Sequence, residues 1–126
     1  MKIAITAKSP GKDATFEPRF GRCAYFVFVD TETQDWQSET NPVGNARGGA
    51  GTQAAQFVAN QNVETVISGQ FGPNAHTALK AAGVEMYQAQ GGSASSIVEA
   101  FQGGELKRVA GPSGFGGGRG RGRKRR

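Results

Sequence analysis

The chain has 126 residues, 37% of them hydrophobic, with 20 glycines and one cysteine. That length suits one domain with its own core, and a single cysteine excludes an internal disulfide framework. The net charge of +5 comes from the last eight residues. Without Arg119, Arg121, Arg123, Lys124, Arg125 and Arg126, nine basic residues face ten acidic ones, a net of −1, so the body is not a basic fold.

Lys2 to Ala7 alternates enough to predict a strand. Lys8 to Pro18, polar and broken by Pro10, Gly11 and Pro18, reads as a long loop ending in Arg19-Phe20-Gly21-Arg22-Cys23. Tyr25 to Val29 is aromatic and β-branched, a strand buried on at least one face. A turn at Thr31 to Asp35 leads into Trp36 to Thr40, polar enough for an edge strand and near enough for a hairpin. Asn41-Pro42 breaks that strand and opens the glycine run Gly44 to Thr52, which leads into a helix over Gln53 to Gln61 with Ala50, Ala54, Phe57 and Val58 at helical spacing.

Glu64 to Ser68 predicts a short strand and Gly69 to Gly72 a tight loop. Pro73 suits the first position of a helix that places Ala75, Ala78, Leu79 and Ala82 on one face and ends at Gly83. Val84 to Tyr87 is the next strand. A third glycine loop, Gln90 to Ser93, offers Ser93 as the cap of a helix that buries Ala94, Ile97, Val98 and Phe101. The order β-β-β-α-β-α-β-α predicts an α/β domain over residues 1–109, with a mixed, roughly five-stranded sheet and helices on its faces. Residues 110–126 form a Gly/Arg-rich basic tail, expected to be disordered because it lacks apolar surface to bury. The N-terminus shows no signal-peptide core, and the longest apolar run, Ala24–Val29, cannot span a membrane. The expectation is a soluble cytoplasmic protein.

Three glycine loops each open a helix. Such loops either simply turn the chain or present first-turn N–H groups to an anion. Three in one domain point to a shared anion site. No G-x-x-x-x-G-K-[ST] or G-x-G-x-x-G pattern is present, which disfavours a nucleotide. Arg19 and Arg22 flank Phe20-Gly21 beside Cys23. Cys23 is either a small buried thiol or, with a pKa lowered by the arginine, a soft-metal ligand. His76, in the first turn of its helix, is placed at the surface or in a cleft. With one Cys and one His, a closed zinc site is excluded. No Ser/His/Asp set or spaced carboxylate pair appears, so a binding protein is predicted rather than an enzyme.

Three motifs together resemble a known family: Phe20-Gly21-Arg22-Cys23-Ala24-Tyr25-Phe26; Gly48-Gly49-Ala50-Gly51-Thr52-Gln53-Ala54-Ala55; and Ser68-Gly69-Gln70-Phe71-Gly72-Pro73-Asn74-Ala75 with Leu79-Lys80-Ala81-Ala82-Gly83. In order and spacing over about residues 1–108, they are similar to the dinitrogenase iron–molybdenum cofactor biosynthesis family, in the branch typified by the orange protein of sulfate reducers. The resemblance implies a ribonuclease-H-like three-layer fold. It implies a non-catalytic carrier that stores, delivers or assembles an anionic molybdenum-containing metal–sulfide cluster, either molybdenum–copper sulfide or an iron–molybdenum precursor. It also implies Mrp/ParA-type ATPases as partners.

The implied cluster-binding residues are Arg19, Phe20, Gly21, Arg22, Arg47, Gly48, Gly49, Gly51, Phe71, Gly72 and Asn74, with Cys23 and His76 as the candidate direct ligands. Where many relatives carry histidine, this chain has Arg19 and Arg47, which favours electrostatic holding over coordination. A second reading uses the tail: Arg119, Arg121, Arg123, Lys124, Arg125 and Arg126 resemble an RGG-type arm for phosphate backbones or an acidic partner.

Overall fold

The computed structural model describes residues 1–43 and 50–110. Arg47, Gly48 and Gly49 of the glycine run, and the tail with its six basic residues, lie outside the described residues. The elements are β1 (Lys2–Ala7), a 3-10 turn (Phe20–Arg22), β2 (Tyr25–Asp30), β3 (Asp35–Thr40), α1 (Ala50–Ala59), β4 (Thr65–Ser68), α2 (Pro73–Ala81), β5 (Glu85–Gln88), α3 (Ala94–Gln102) and β6 (Lys107–Arg108).

One six-stranded sheet runs β3-β2-β1-β4-β5-β6. β1 pairs in parallel with β4, and β4 with β5, while β1–β2, β2–β3 and β5–β6 are antiparallel. The central strands are covered on both faces, which is why β1, β2 and β4 read as near-continuous apolar runs. On one face Ala4, Phe26, Phe28, Val66 and Met86 pack against Ala54, Ala55 and Val58 of α1 and Ala75 and Leu79 of α2. On the other, Ile3, Ile5, Val29 and Ile67 meet Ile97 and Val98 of α3. The result is the expected three-layer, ribonuclease-H-like α/β arrangement.

The hairpin and the β3 edge are as the sequence predicts, and Trp36 is half-buried against the α3 face. Three details differ. α1 begins at Ala50, so Gly51 lies inside the helix and not in a loop before it. Ala82 is the exposed C-cap of α2 and takes no part in its buried face. The sixth strand, Lys107–Arg108, has no apolar signature because both side chains are exposed. It exists through backbone pairing with Tyr87 and Gln88, extended by the Val109 amide donating to the Met86 carbonyl at 2.8 Å.

The long loop from Lys8 returns across the carboxyl ends of β1 and β4. The Pro18 carbonyl accepts from the Gly69 amide (2.9 Å), the Gln70 amide (2.7 Å) and Ser68 Oγ (3.1 Å). The Thr6 hydroxyl, 2.9 Å from Ser68 Oγ, donates to the Glu17 carbonyl at 2.6 Å. Gly69 is required for this approach, since a Cβ there would lie 2.7 Å from Pro18 Cβ and 2.9 Å from Pro18 Cα and O. Gly69→Ala is expected to cost roughly 1–3 kcal/mol by overpacking against backbone. Urea unfolding followed by circular dichroism measures it, and an unchanged midpoint would contradict the close approach.

Candidate functional site

The Pro18 strap delivers the chain into the Phe20–Arg22 turn. The Phe20 amide donates to the Gln70 carbonyl at 3.2 Å, which ties the turn to the loop between β4 and α2. The Phe20 ring stacks on Phe71 with centroids 5.5 Å apart and leans on Phe26 at the same distance. Both Phe20 and Phe71 are buried within the core. As cluster-binding candidates they therefore act from beneath, with their rings in the core.

Above these rings, α1 packs on the turn and on α2. Gly51, in the first turn of α1, lies so close to the first turn of α2 that a Cβ there would be 3.3 Å from the Ala75 amide nitrogen. Two helix N-termini thus lie side by side. The α2 terminus is capped by Gly72 without any side-chain hydrogen bond, and Pro73 follows at its first position. Asn74 is exposed there, and Arg22 is exposed at the end of the adjacent turn. Two adjacent N-termini set a positive local potential suited to an anion.

The third glycine loop does not join them. α3 lies on the opposite face of the sheet. Its first-turn amides are already engaged: Ala94 donates to the Ala14 carbonyl (2.9 Å), Ser95 to the Lys12 carbonyl (2.8 Å) and Ser96 to Ser93 Oγ (3.2 Å). Ser93 is the predicted cap, in a capping box with Ser96. The convergence of three loops on one anion is therefore corrected to two.

Arg19 is also partly committed. Its amide and Nε donate to Glu17 Oε2 at 3.0 and 3.1 Å. Burial pushes the Glu17 carboxyl up, but the Arg19 side chain, the Arg19 amide and nearby Lys8 outweigh it, and its pKa falls below the ordinary glutamate value. Arg19 therefore brings less net charge than its sequence position suggests.

Cys23 departs most from expectation. The thiol is fully buried, donates to the Phe20 carbonyl at 3.3 Å, and has its pKa pushed up to about 12 by burial. The low-pKa soft ligand is overturned in favour of the buried, protonated thiol, because desolvation outweighs the hydrogen bonds from the Ala7 backbone and Asn41 that favour the thiolate. His76 is 7% exposed and lines a different recess, with Lys80, Met86, Arg108 and Val109, of which Cys23 is no part. Among the described residues no group of three or more His, Cys, Asp or Glu is placed to hold a metal.

Asn41, read from sequence only as a strand breaker, is a buried clamp. Its Nδ2 donates to the carbonyls of Cys23 (2.9 Å) and Gly21 (3.3 Å), and its Oδ1 accepts from the Val43 amide at 3.1 Å. It joins the turn to the residues that enter the glycine run. Only the Asn-Pro pair hinted at a specific local geometry, and nothing in sequence pointed to its partners.

Two helices side by side on one face, with paired N-termini at the carboxyl end of a mixed sheet, define a small α/β binding protein, and the chain belongs to the dinitrogenase iron-molybdenum cofactor family, whose profile matches residues 1–104. It is similar to the apo form of the orange protein from Desulfovibrio gigas, at 37% identity and a TM-score of 0.86 over 90% of this chain and 96% of that one. It is similar to a candidate NifB protein from Thermotoga, at 30% identity and a TM-score of 0.80 over 91% of this chain and 98% of that one. An uncharacterized protein of Methanocaldococcus jannaschii is 31% identical over 111 residues, 86% of this chain and 91% of its own.

Two measurements check the site. Native Cys23 should resist a disulfide reagent at pH 8 and react fully in urea; rapid native labelling would contradict a buried thiol. The lowered pKa of Glu17 places its stabilisation above the unfolded value and removes it as pH falls through the folded one. Glu17→Gln should therefore cost about 1 kcal/mol at pH 7, and the gap should close as the solution is acidified. Denaturation across pH reads this directly, and a gap that persists in acid would contradict the assignment.

Proposed function

We propose that this protein is a non-catalytic carrier of an anionic molybdenum-containing metal–sulfide cluster, as cargo to be stored, delivered or assembled. The observation behind the reading is the pair of N-termini, with Gly51 against the Ala75 amide beside the exposed Arg22. Family membership and the likeness to the orange protein support a cluster-binding role.

In this reading Arg22 and Arg47 supply most of the fixed positive charge, and Arg19, braced by Glu17, supplies the rest. First-turn amides at Gly51 and Asn74, beside Gly72 and the Phe20–Arg22 turn, complete the cradle. The protonated thiol of Cys23 and the burial of His76 in its own recess favour electrostatic holding over direct bonds from protein to metal. Molybdenum–copper sulfide is the cargo we favour, with an iron–molybdenum precursor as the other, and Mrp/ParA-type ATPases are the proposed delivery partners. The cytoplasm is the proposed location; no helix among the described residues is long and apolar enough to cross a membrane.

Mixing the full-length apoprotein with tetrathiomolybdate and copper(I) should give a new visible absorption and molybdenum that co-elutes on gel filtration. The double variant Arg22→Glu with Arg47→Glu should weaken retention at least tenfold with unchanged far-ultraviolet circular dichroism. No colour and no co-eluting molybdenum in the parent protein would refute the reading.

The concentration of six basic residues at 119–126 on a body of net −1 supports a second, compatible role, binding nucleic acid through Arg119, Arg121, Arg123, Lys124, Arg125 and Arg126. Replacing these six with glutamine should abolish salt-sensitive binding to single-stranded DNA; binding that survives the replacement would assign it elsewhere.

A further inference from the structure

The recess that holds His76 lies along α2 where it faces β5 and β6, with a volume of about 480 Å³. Cavities of this size accept small organic molecules. Its apolar side is formed by Met86 and Val109, and its polar side by Lys80, Glu85 and Arg108. His76 and Lys80 stand four residues apart on α2, one turn of helix, and line the same side.

His76 is 93% buried from its 7% exposure, and among the described residues its imidazole has no hydrogen-bond or ion-pair partner. A buried polar group left without a partner is costly, so a group that ligand binding would satisfy is the economical explanation of its placement. The charge of the rim narrows the ligand. Arg108 and Glu85 form a loose exposed pair at 3.6 Å and cancel, which leaves Lys80 as one net positive charge.

We propose that this recess binds a small apolar monocarboxylate. The carboxylate is held by Lys80, the imidazole N–H of His76 meets its second oxygen, and the hydrocarbon lies on Met86 and Val109. A single net charge matches a monoanion better than a phosphate dianion, and the apolar floor rewards a hydrocarbon body. The recess shares the first turn of α2 with the paired N-termini, since His76 follows Ala75, but its lining of Lys80, Met86, Arg108 and Val109 takes no part in them, and the proposal does not rest on the cluster reading.

The test is an NMR titration of the full-length chain with hexanoate, following the His76 ring and the Met86 methyl. Saturable shifts at both are expected. Hexylammonium, equal in length and opposite in charge, should leave them unsaturated, and inorganic phosphate should bind more weakly than hexanoate. Lys80 is exposed, so Lys80→Gln preserves the fold and should weaken hexanoate about fivefold. The proposal is overturned if hexanoate leaves both signals unmoved, if hexylammonium saturates them equally, or if Lys80→Gln binds as tightly as the parent.

Discussion

Much of this architecture depends on one carbonyl oxygen. Pro18 offers an acceptor without an amide donor of its own, and three donors from consecutive residues at the end of β4 meet it: Ser68 Oγ, Gly69 N and Gln70 N. Proline fixes the chain direction at that point, and glycine at 69 removes the side chain that would hold the strands apart. The long loop is thus fastened to the sheet edge at which α2 begins. The Phe20–Arg22 turn, the Phe20–Phe71 stack and the entry to β2 follow from that fastening.

The same edge starts three helices, yet their N-termini are treated differently. The amides of α3 are used internally by Ser93 and by the carbonyls of Lys12 and Ala14, so the loop that begins after β1 serves as a plug on one face. On the other face, α2 has a glycine cap with no side-chain hydrogen bond, and α1 leans against it through Gly51. Satisfying donors internally stabilises a helix. Leaving a terminus without a side-chain cap preserves its dipole for a ligand. The α3 terminus is thereby committed to the fold, while that of α2 is not capped by a side chain.

Burial decides what the conspicuous side chains do. Beside two arginines, Cys23 reads as an activated thiol, but the core of Phe20 and Phe26 around it makes desolvation the larger effect and keeps it protonated. Arg19 reads as an anion receptor, but its exposed guanidinium is paired with the nearly buried Glu17. Arg22 keeps its exposed position. An anionic cargo held through N–H groups and arginine, with no thiolate bond, would be released by a change in electrostatics or loop position, without ligand exchange at a metal.

The sequence by itself determined the layout. Apolar runs at strand spacing, helical periodicity, Pro73 at a helix start and Ser93 at a cap are local signals, and they placed the first five strands and three helices. The resemblance carried by Phe20 to Phe26, Gly48 to Ala55 and Ser68 to Gly83 added the family. Only the tertiary structure decided what depends on distant partners. β6 exists by backbone pairing of two exposed residues. Asn41 became a clamp through the carbonyls of Gly21 and Cys23. His76 entered its own recess because α2 faces β5 and β6 on that side. Hydrogen-bond partners, burial and the pKa values that follow from them arise between residues far apart in the chain, so composition and spacing could name the candidates while packing assigned their roles.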